Sequence, residues 1–115
     1  MIKTEKTVYD PREPSDGERI LVMRLWPRGI SKERIDEWMK DLGTEKDLLK
    51  KRKAGEVTWG EFVRKYRRSL KGKEKMLEDL ASRSTRGTIT LLCGCKDRGH
   101  CHRTILAKEI EKFTK

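Results

Sequence analysis

The chain has 115 residues, 34% of them hydrophobic and 42% charged, with 29 Lys and Arg against 19 Asp and Glu for a net charge of +10. That length fits one domain. The longest apolar run, Ile20-Leu21-Val22-Met23, is far short of the roughly 18 residues a membrane span needs, so no membrane partner is expected. No hydrophobic stretch follows Met1, which leaves the cytoplasm as the default compartment.

The sequence contains neither Asn nor Gln and is rich in Lys, Arg and Glu. Such a composition suits a protein that works hot, because the amides are thermolabile and charge networks gain value with temperature.

In chain order, residues 2–9 (Ile-Lys-Thr-Glu-Lys-Thr-Val-Tyr) read as a strand of mixed polarity suited to a sheet edge. Pro11, Pro14, Asp16 and Gly17 mark a loop. The apolar run at 19–25 reads as a buried strand, stopped by Trp26-Pro27-Arg28-Gly29. Ser31 is a good N-cap, and Ile35, Trp38, Met39 and Leu42 follow at helical spacing before Gly43. These predict a helix over 31–42. A short basic helix is predicted over 45–53. Thr58 with Glu61 forms a capping-box signature. It opens a helix whose apolar face is Trp59, Phe62, Val63, Tyr66 and Leu70. Met76, Leu77, Leu80 and Ala81 predict a further helix. Residues 88–93 read as a second buried strand, and Ile105, Leu106, Ile110 and Phe113 as one face of a last helix. The order predicts a single α/β domain, a small and at least partly parallel sheet flanked by several helices. The two buried strands, ending at Leu25 and Cys93, are expected to be parallel neighbours, because some sixty residues of mostly helical chain separate them.

Chemistry concentrates between residues 93 and 103. All three cysteines (Cys93, Cys95, Cys101) and both histidines (His100, His102) fall there, with Lys96, Arg98 and Arg103 among them. The stretch joins a strand to a helix, where an open α/β sheet places ligands and a helix start presents unpaired N–H groups to anions. Three readings compete. The first is a reactive thiol, with Cys101 or Cys93 the sulfur, His102 beside it, and a thiol pKa lowered by its cationic surroundings. The second is a metal site, against which stand the uneven Cys spacing and the adjacency of Cys101 and His102. The third is structural, as buried thiols or a disulfide. The candidate catalytic residues are Cys101, Cys93 and His102, and no metal or cofactor is assigned.

A second stretch, Arg24-Leu25-Trp26-Pro27-Arg28-Gly29 with Lys32, also follows a buried strand. If the strands are parallel, Arg24, Arg28 and Lys32 face the Cys/His loop across a crevice walled by Trp26. With Arg103 they are the candidate anion-binding residues for a phosphate- or carboxylate-bearing ligand. Residues 44–75 carry twelve basic and five acidic residues, a patch that allows nucleic acid as partner. A non-catalytic nucleic-acid-binding module and a metal-stabilised structural domain are therefore the rival readings.

Residues 19–32 (Arg-Ile-Leu-Val-Met-Arg-Leu-Trp-Pro-Arg-Gly-Ile-Ser-Lys), Trp38 to Leu42, the Trp59-Glu61-Phe62-Tyr66 helix and the Thr88 to Leu92 strand resemble the family called domain of unknown function 488, including its YeaO-like branch. The resemblance covers nearly the whole chain. Met23 stands where the family commonly has an acidic residue, which removes a carboxylate role there. Cys101-His102-Arg103 resembles a different branch more closely. The resemblance implies a small cytosolic α/β protein and no established reaction.

Overall fold

A computed structural model describes residues 1–94 and 101–114. Four strands, β1 (Ile2–Lys3), β2 (Glu18–Leu21), β3 (Glu37–Trp38) and β4 (Ile89–Leu92), form one sheet in the order β1-β4-β2-β3. Every pairing is parallel. The two apolar strands are neighbours, with Ile20 opposite Leu91 and Leu21 opposite Leu92. Four helices follow: α1 (Lys46–Lys53), α2 (Trp59–Ser69), α3 (Glu74–Arg86) and α4 (His102–Glu111). The fold is thus the α/β class read from the sequence. No helix among the described residues is long and apolar enough to cross a membrane.

Side chains alternate across the sheet as the period of two requires. Ile20, Val22, Ile89 and Leu91 enter a core shared with Phe62, Tyr66, Leu80, Leu106 and Ile110 of the helices. On the opposite face Leu21 and Leu92 pack with Val8 and Ile30. That second face also buries charge. Arg19 and Asp16 are fully inaccessible and joined at 2.6 Å, Lys6 reaches Asp16 at 2.8 Å, and Thr90 donates to the Asp16 carbonyl at 2.7 Å. Burial opposes the Asp16 charge, but the Lys6 hydrogen bond, the Glu13 N–H and Arg19 outweigh it and hold the carboxyl at about 2.

Three sequence expectations are corrected. The strand predicted over 2–9 pairs only at Ile2–Lys3, at the sheet edge, before the chain turns and Val8 N–H reaches the Cys93 carbonyl at 3.1 Å. The strand predicted over 19–25 ends at Leu21, although Val22 N–H still bonds the Leu92 carbonyl at 3.0 Å. Beyond it the chain is crossed by the backbone at Gly43, where an added Cβ would meet Arg24 N at 2.5 Å.

The helix predicted over 31–42 does not form. Lys32–Arg34 and Lys40–Leu42 are single 3-10 turns flanking β3. The segment instead supplies β2 with its second partner. Asp36 N–H bonds the Arg19 carbonyl at 2.8 Å, Met39 N–H bonds the Leu21 carbonyl at 2.9 Å, and Trp38 Nε1 donates to the Met23 carbonyl at 2.7 Å. A buried strand must pair its backbone groups on both sides, and that requirement outweighs a helical spacing worth a few tenths of a kcal/mol per residue.

Candidate thiol site

Parallel strands bring all their carboxyl ends to one edge. Cys93 follows β4 directly, and Cys101 is the N-cap of α4, with extended angles of φ −127° and ψ 150°. His102 and Arg103 are the first two residues of that helix. The rest of the Cys/His stretch, Cys95, Lys96, Arg98 and His100 included, lies outside the described residues.

The three candidate catalytic residues come together. His102 Nδ1 lies 3.6 Å from Cys101 Sγ and 4.0 Å from Cys93 Sγ. All three side chains are buried, and no disulfide joins the two sulfurs. The other ring nitrogen, Nε2, is 2.5 Å from the Val22 carbonyl oxygen at the end of β2. A carbonyl only accepts, so Nε2 carries the proton and Nδ1 is turned to the sulfurs as base or as imidazolium. Tyr66 packs edge-on against the imidazole with centroids 5.4 Å apart and donates its hydroxyl to the Leu42 carbonyl at 2.6 Å. Burial pushes that phenol up, so it stays neutral.

Of the two sulfurs, Cys101 is the one whose thiol is lowered. A hydrogen bond from Cys93, against the opposing cost of burial, and then the hydrogen bond and charge of His102 hold its thiol far below the ordinary thiol value. Arg103 Nε donates to Cys101 Sγ at 3.3 Å, and its guanidinium also donates to the Lys6 carbonyl. The start of α4 adds its partial positive charge.

The sulfurs and imidazole line a cleft of about 260 Å³. Its apolar surface comes from Met23, Leu25, Leu49 and Phe62, and its cations from Arg24 on one side and Lys46, Arg52 and Lys53 of α1 on the other. Arg52 lies over the rings of Trp59 and Phe62 at 4.7 and 5.2 Å. Thr44 also lines the cleft, and its buried hydroxyl has no hydrogen-bond partner among the described residues. An orphaned buried hydroxyl costs about 1–3 kcal/mol, a cost that a ligand's polar group would relieve.

The anion-binding candidates separate. Arg24 lines the cleft, its Nε donating to the Gly43 carbonyl at 3.1 Å. Arg103 is fully buried and serves the sulfur instead of an open anion position. Arg28 is exposed on its turn, and Lys32 lines a separate depression with Trp26 and Trp38. Trp26 does not wall the cleft: its Nε1 donates to the Ile30 carbonyl at 2.8 Å, and its ring meets Trp38 edge-on at 5.4 Å. The sequence did not single out Thr44, Lys46, Arg52 and Lys53. Only the packing of α1 against α2 brings Lys46, Arg52 and Lys53 to the site, with Thr44 just ahead of that helix.

The donor atoms of Cys93, Cys101 and His102 all lie within 4.8 Å of one another, a set that could hold a soft metal ion at three corners of a tetrahedron. The arrangement has two chemical capacities, then: a thiolate–imidazolium nucleophile, or three ligands for zinc.

The family model for the active DUF488-N3 subclade (DUF488-N3a) matches residues 2–114. The chain is 39% identical over 104 residues to the uncharacterised protein YeaO of Escherichia coli, spanning 89% of this chain and 90% of that protein. It is 30% identical over 103 residues to the uncharacterised protein Rv3073c of Mycobacterium tuberculosis, spanning 88% of this chain and 86% of that protein. The uncharacterised protein Mb3100c of Mycobacterium bovis matches equally, at 30% over 103 residues. No solved structure matches.

Proposed function

This chain belongs to the DUF488 family, in the subclade described as active, and from that premise we propose that it is a cysteine-dependent enzyme acting on a small phosphate- or carboxylate-bearing substrate. One observation carries the reading: Cys101 Sγ, 3.6 Å from His102 Nδ1, lies in a cleft also lined by Arg24, Lys46, Arg52 and Lys53. A Cys–His pair whose imidazole is oriented by a third group is the arrangement of an activated nucleophile, with the Val22 carbonyl as that group. The Cys101 proton passes to His102 Nδ1. The thiolate then attacks an electrophilic carbon of the substrate, forming an S–C bond. The leaving group departs with its electron pair and takes the proton back from Nδ1. The cleft cations hold the substrate's anionic group, and the orphaned Thr44 hydroxyl supplies a further hydrogen bond.

The test is site-resolved alkylation. Iodoacetate, an anion, is expected to modify Cys101 faster relative to neutral iodoacetamide than it modifies a free thiol in a peptide, and inorganic phosphate is expected to slow both. Equal preference to the peptide thiol with no effect of phosphate would overturn the reading. So would stoichiometric zinc with alkylation only after chelation, the outcome that a metal-stabilised domain demands.

A further inference from the structure

Away from the thiol cleft, α2 and α4 bound a groove that the proposed chemistry does not use. At one end Trp59, Val63 and Arg67 of α2 face Thr104, Ile105 and Lys108 of α4 around about 350 Å³. At the other, Arg64, Arg67, Arg68 and Lys71 meet Lys112 and Phe113 around about 500 Å³. Arg67 lines both, so the two depressions adjoin at that side chain. Positions 64, 67 and 68 recur at i, i+3 and i+4 along α2, the spacing of a single helix face, with Lys71 in the turn just beyond that helix and Lys112 at the C-cap of α4 four residues after Lys108.

The charge of this groove is largely uncommitted. Lys112 is paired with Glu109 at 2.6 Å, and Glu74 also lines it. Arg64, Arg67, Arg68, Lys71 and Lys108 form no ion pair with any described residue. Five such cations in one groove repel one another and favour a polyanion. Between the cations the floor is apolar, with Val63, Leu70, Leu77 and Ile105 lining it and Phe113 38% exposed at its end.

We propose that the α2–α4 groove is a binding track for single-stranded nucleic acid. Cations along a groove follow the phosphates, and aromatic or apolar surface between them takes the faces of unpaired bases. Packed helices lie about 8–10 Å apart, so the furrow between them admits one strand and not a duplex, whose bases are stacked away from any floor. The track runs from Trp59 to Leu70, about 16 Å at 1.5 Å per residue, enough for a few nucleotides. It meets the thiol cleft at Trp59, whose ring centroid lies 4.7 Å from the Arg52 guanidinium and 5.3 Å from the Phe62 ring, both of the cleft. The proposal does not depend on the thiol chemistry: phosphates and bases are recognised here whether or not Cys101 reacts.

The experiment is fluorescence anisotropy of the full chain with a labelled mixed-sequence 20-nucleotide DNA strand, the matching duplex, and heparin as competitor. The strand is expected to bind at about 50 mM salt more tightly than the duplex, with an affinity slope near −0.7 per phosphate contacted. The double variant R67E/K108E, one change on each wall, is expected to lose at least tenfold in affinity and to flatten that slope. The variant K75E/R86E makes the same change of charge at exposed positions outside the groove and is expected to lose less than threefold. Phe113→Ala is expected to weaken the strand at least fivefold and leave the duplex unchanged. Thermal melts by circular dichroism keep folding separate from binding. Absence of binding at about 50 mM salt, equal losses in the two charge variants, tighter binding of duplex than strand, or heparin displacing the strand from wild type and R67E/K108E alike would each overturn the proposal.

Discussion

At the scale of single residues, two buried polar clusters stand out, the thiol site after β4 and the Asp16 cluster on the sheet's second face. In the thiol site, Cys93 supplies the largest favourable influence on the Cys101 thiolate. Cys93→Ala removes that donor, so the Cys101 pKa is expected to rise toward the free value near 8.5. The pH–rate profile of Cys101 alkylation should shift alkaline, with the rate at pH 6 falling several-fold. An unchanged profile would assign the activation to His102 and the start of α4 alone. The second centre is Asp16, which neutralises Arg19 and Lys6 inside the sheet's second face. Asp16→Ala leaves a buried guanidinium without its counter-charge, a change worth about 3–5 kcal/mol, measurable by urea unfolding. The folded-state carboxyl titrates at about 2 against an ordinary 3.8. Its stabilisation is therefore complete above about 4 and lost as pH falls through about 2. The unfolding midpoint of wild type should fall across that window, and the Asp16→Ala variant should lack that part of the fall. The sequence showed the Cys/His cluster plainly, because rare residues crowded into eleven positions stand out. It did not show Arg19 as a core residue. In the sequence Arg19 is one more charge among many, and only its hydrogen bonds to the Asp16 carboxylate and to the Asp10 and Arg34 carbonyls explain its burial.

Elements whose caps are local were legible, and those settled by pairing were not. Thr58 Oγ1 accepts from Glu61 N–H at 3.1 Å, and the Glu61 carboxylate accepts from Thr58 N–H at 3.1 Å. This is the capping box expected from the residues alone. Thr58→Ala is expected to cost about 1 kcal/mol in a denaturant titration, with Phe62 and Tyr66 keeping α2 docked. The segment before α1 behaves differently. Its helical spacing is overridden by β2, and it ends at Gly43, where the chain passes against Met23 and Arg24. A Cβ there would lie 2.5 Å from Arg24 N and 2.7 Å from the Met23 carbonyl carbon. Both atoms are backbone, so they cannot step aside cheaply. Gly43→Ala is expected to cost about 1–3 kcal/mol, as overpacking does. Because it displaces the residue bearing the cleft's Arg24 guanidinium, it should also weaken phosphate protection of Cys101. A variant that melts like wild type with protection intact would show that the two segments can separate without consequence.

For the whole molecule, charge is both fabric and reach. Arg83 of α3 ties Glu37 at 2.7 Å, Asp79 at 2.8 Å and Glu18 at 3.4 Å, joining one helix to β2 and β3. Lys6 bridges Glu13 at 2.9 Å and the buried Asp16. Networks of this kind gain value as temperature rises. With no Asn or Gln in the chain, the melting temperature is expected above the mesophile range of about 45–65 °C. A calorimetric midpoint inside that range would mean that the charge-rich composition serves solvation and binding instead of heat resistance.

Residues alone pointed to the α/β class, the parallel pairing of the two apolar strands, the four helices from residue 46 onward, and the gathering of thiols and imidazole at a strand-to-helix junction. The parallel pairing follows from the long helical connection between the strands, and the rest from local signals: apolar runs, periodic faces, caps and rare residues. Which cations line the thiol cleft came from the packing of the folded chain. Arg24 and three cations of α1 line the cleft, Arg28 and Lys32 lie apart from it, and Arg103 turns inward to the sulfur. It also decided that residues 31–42 complete the sheet. The reason is the same in both cases. A buried parallel strand must satisfy its backbone groups on both edges, and the partner it recruits fixes where every neighbouring loop, and every charge on those loops, comes to rest.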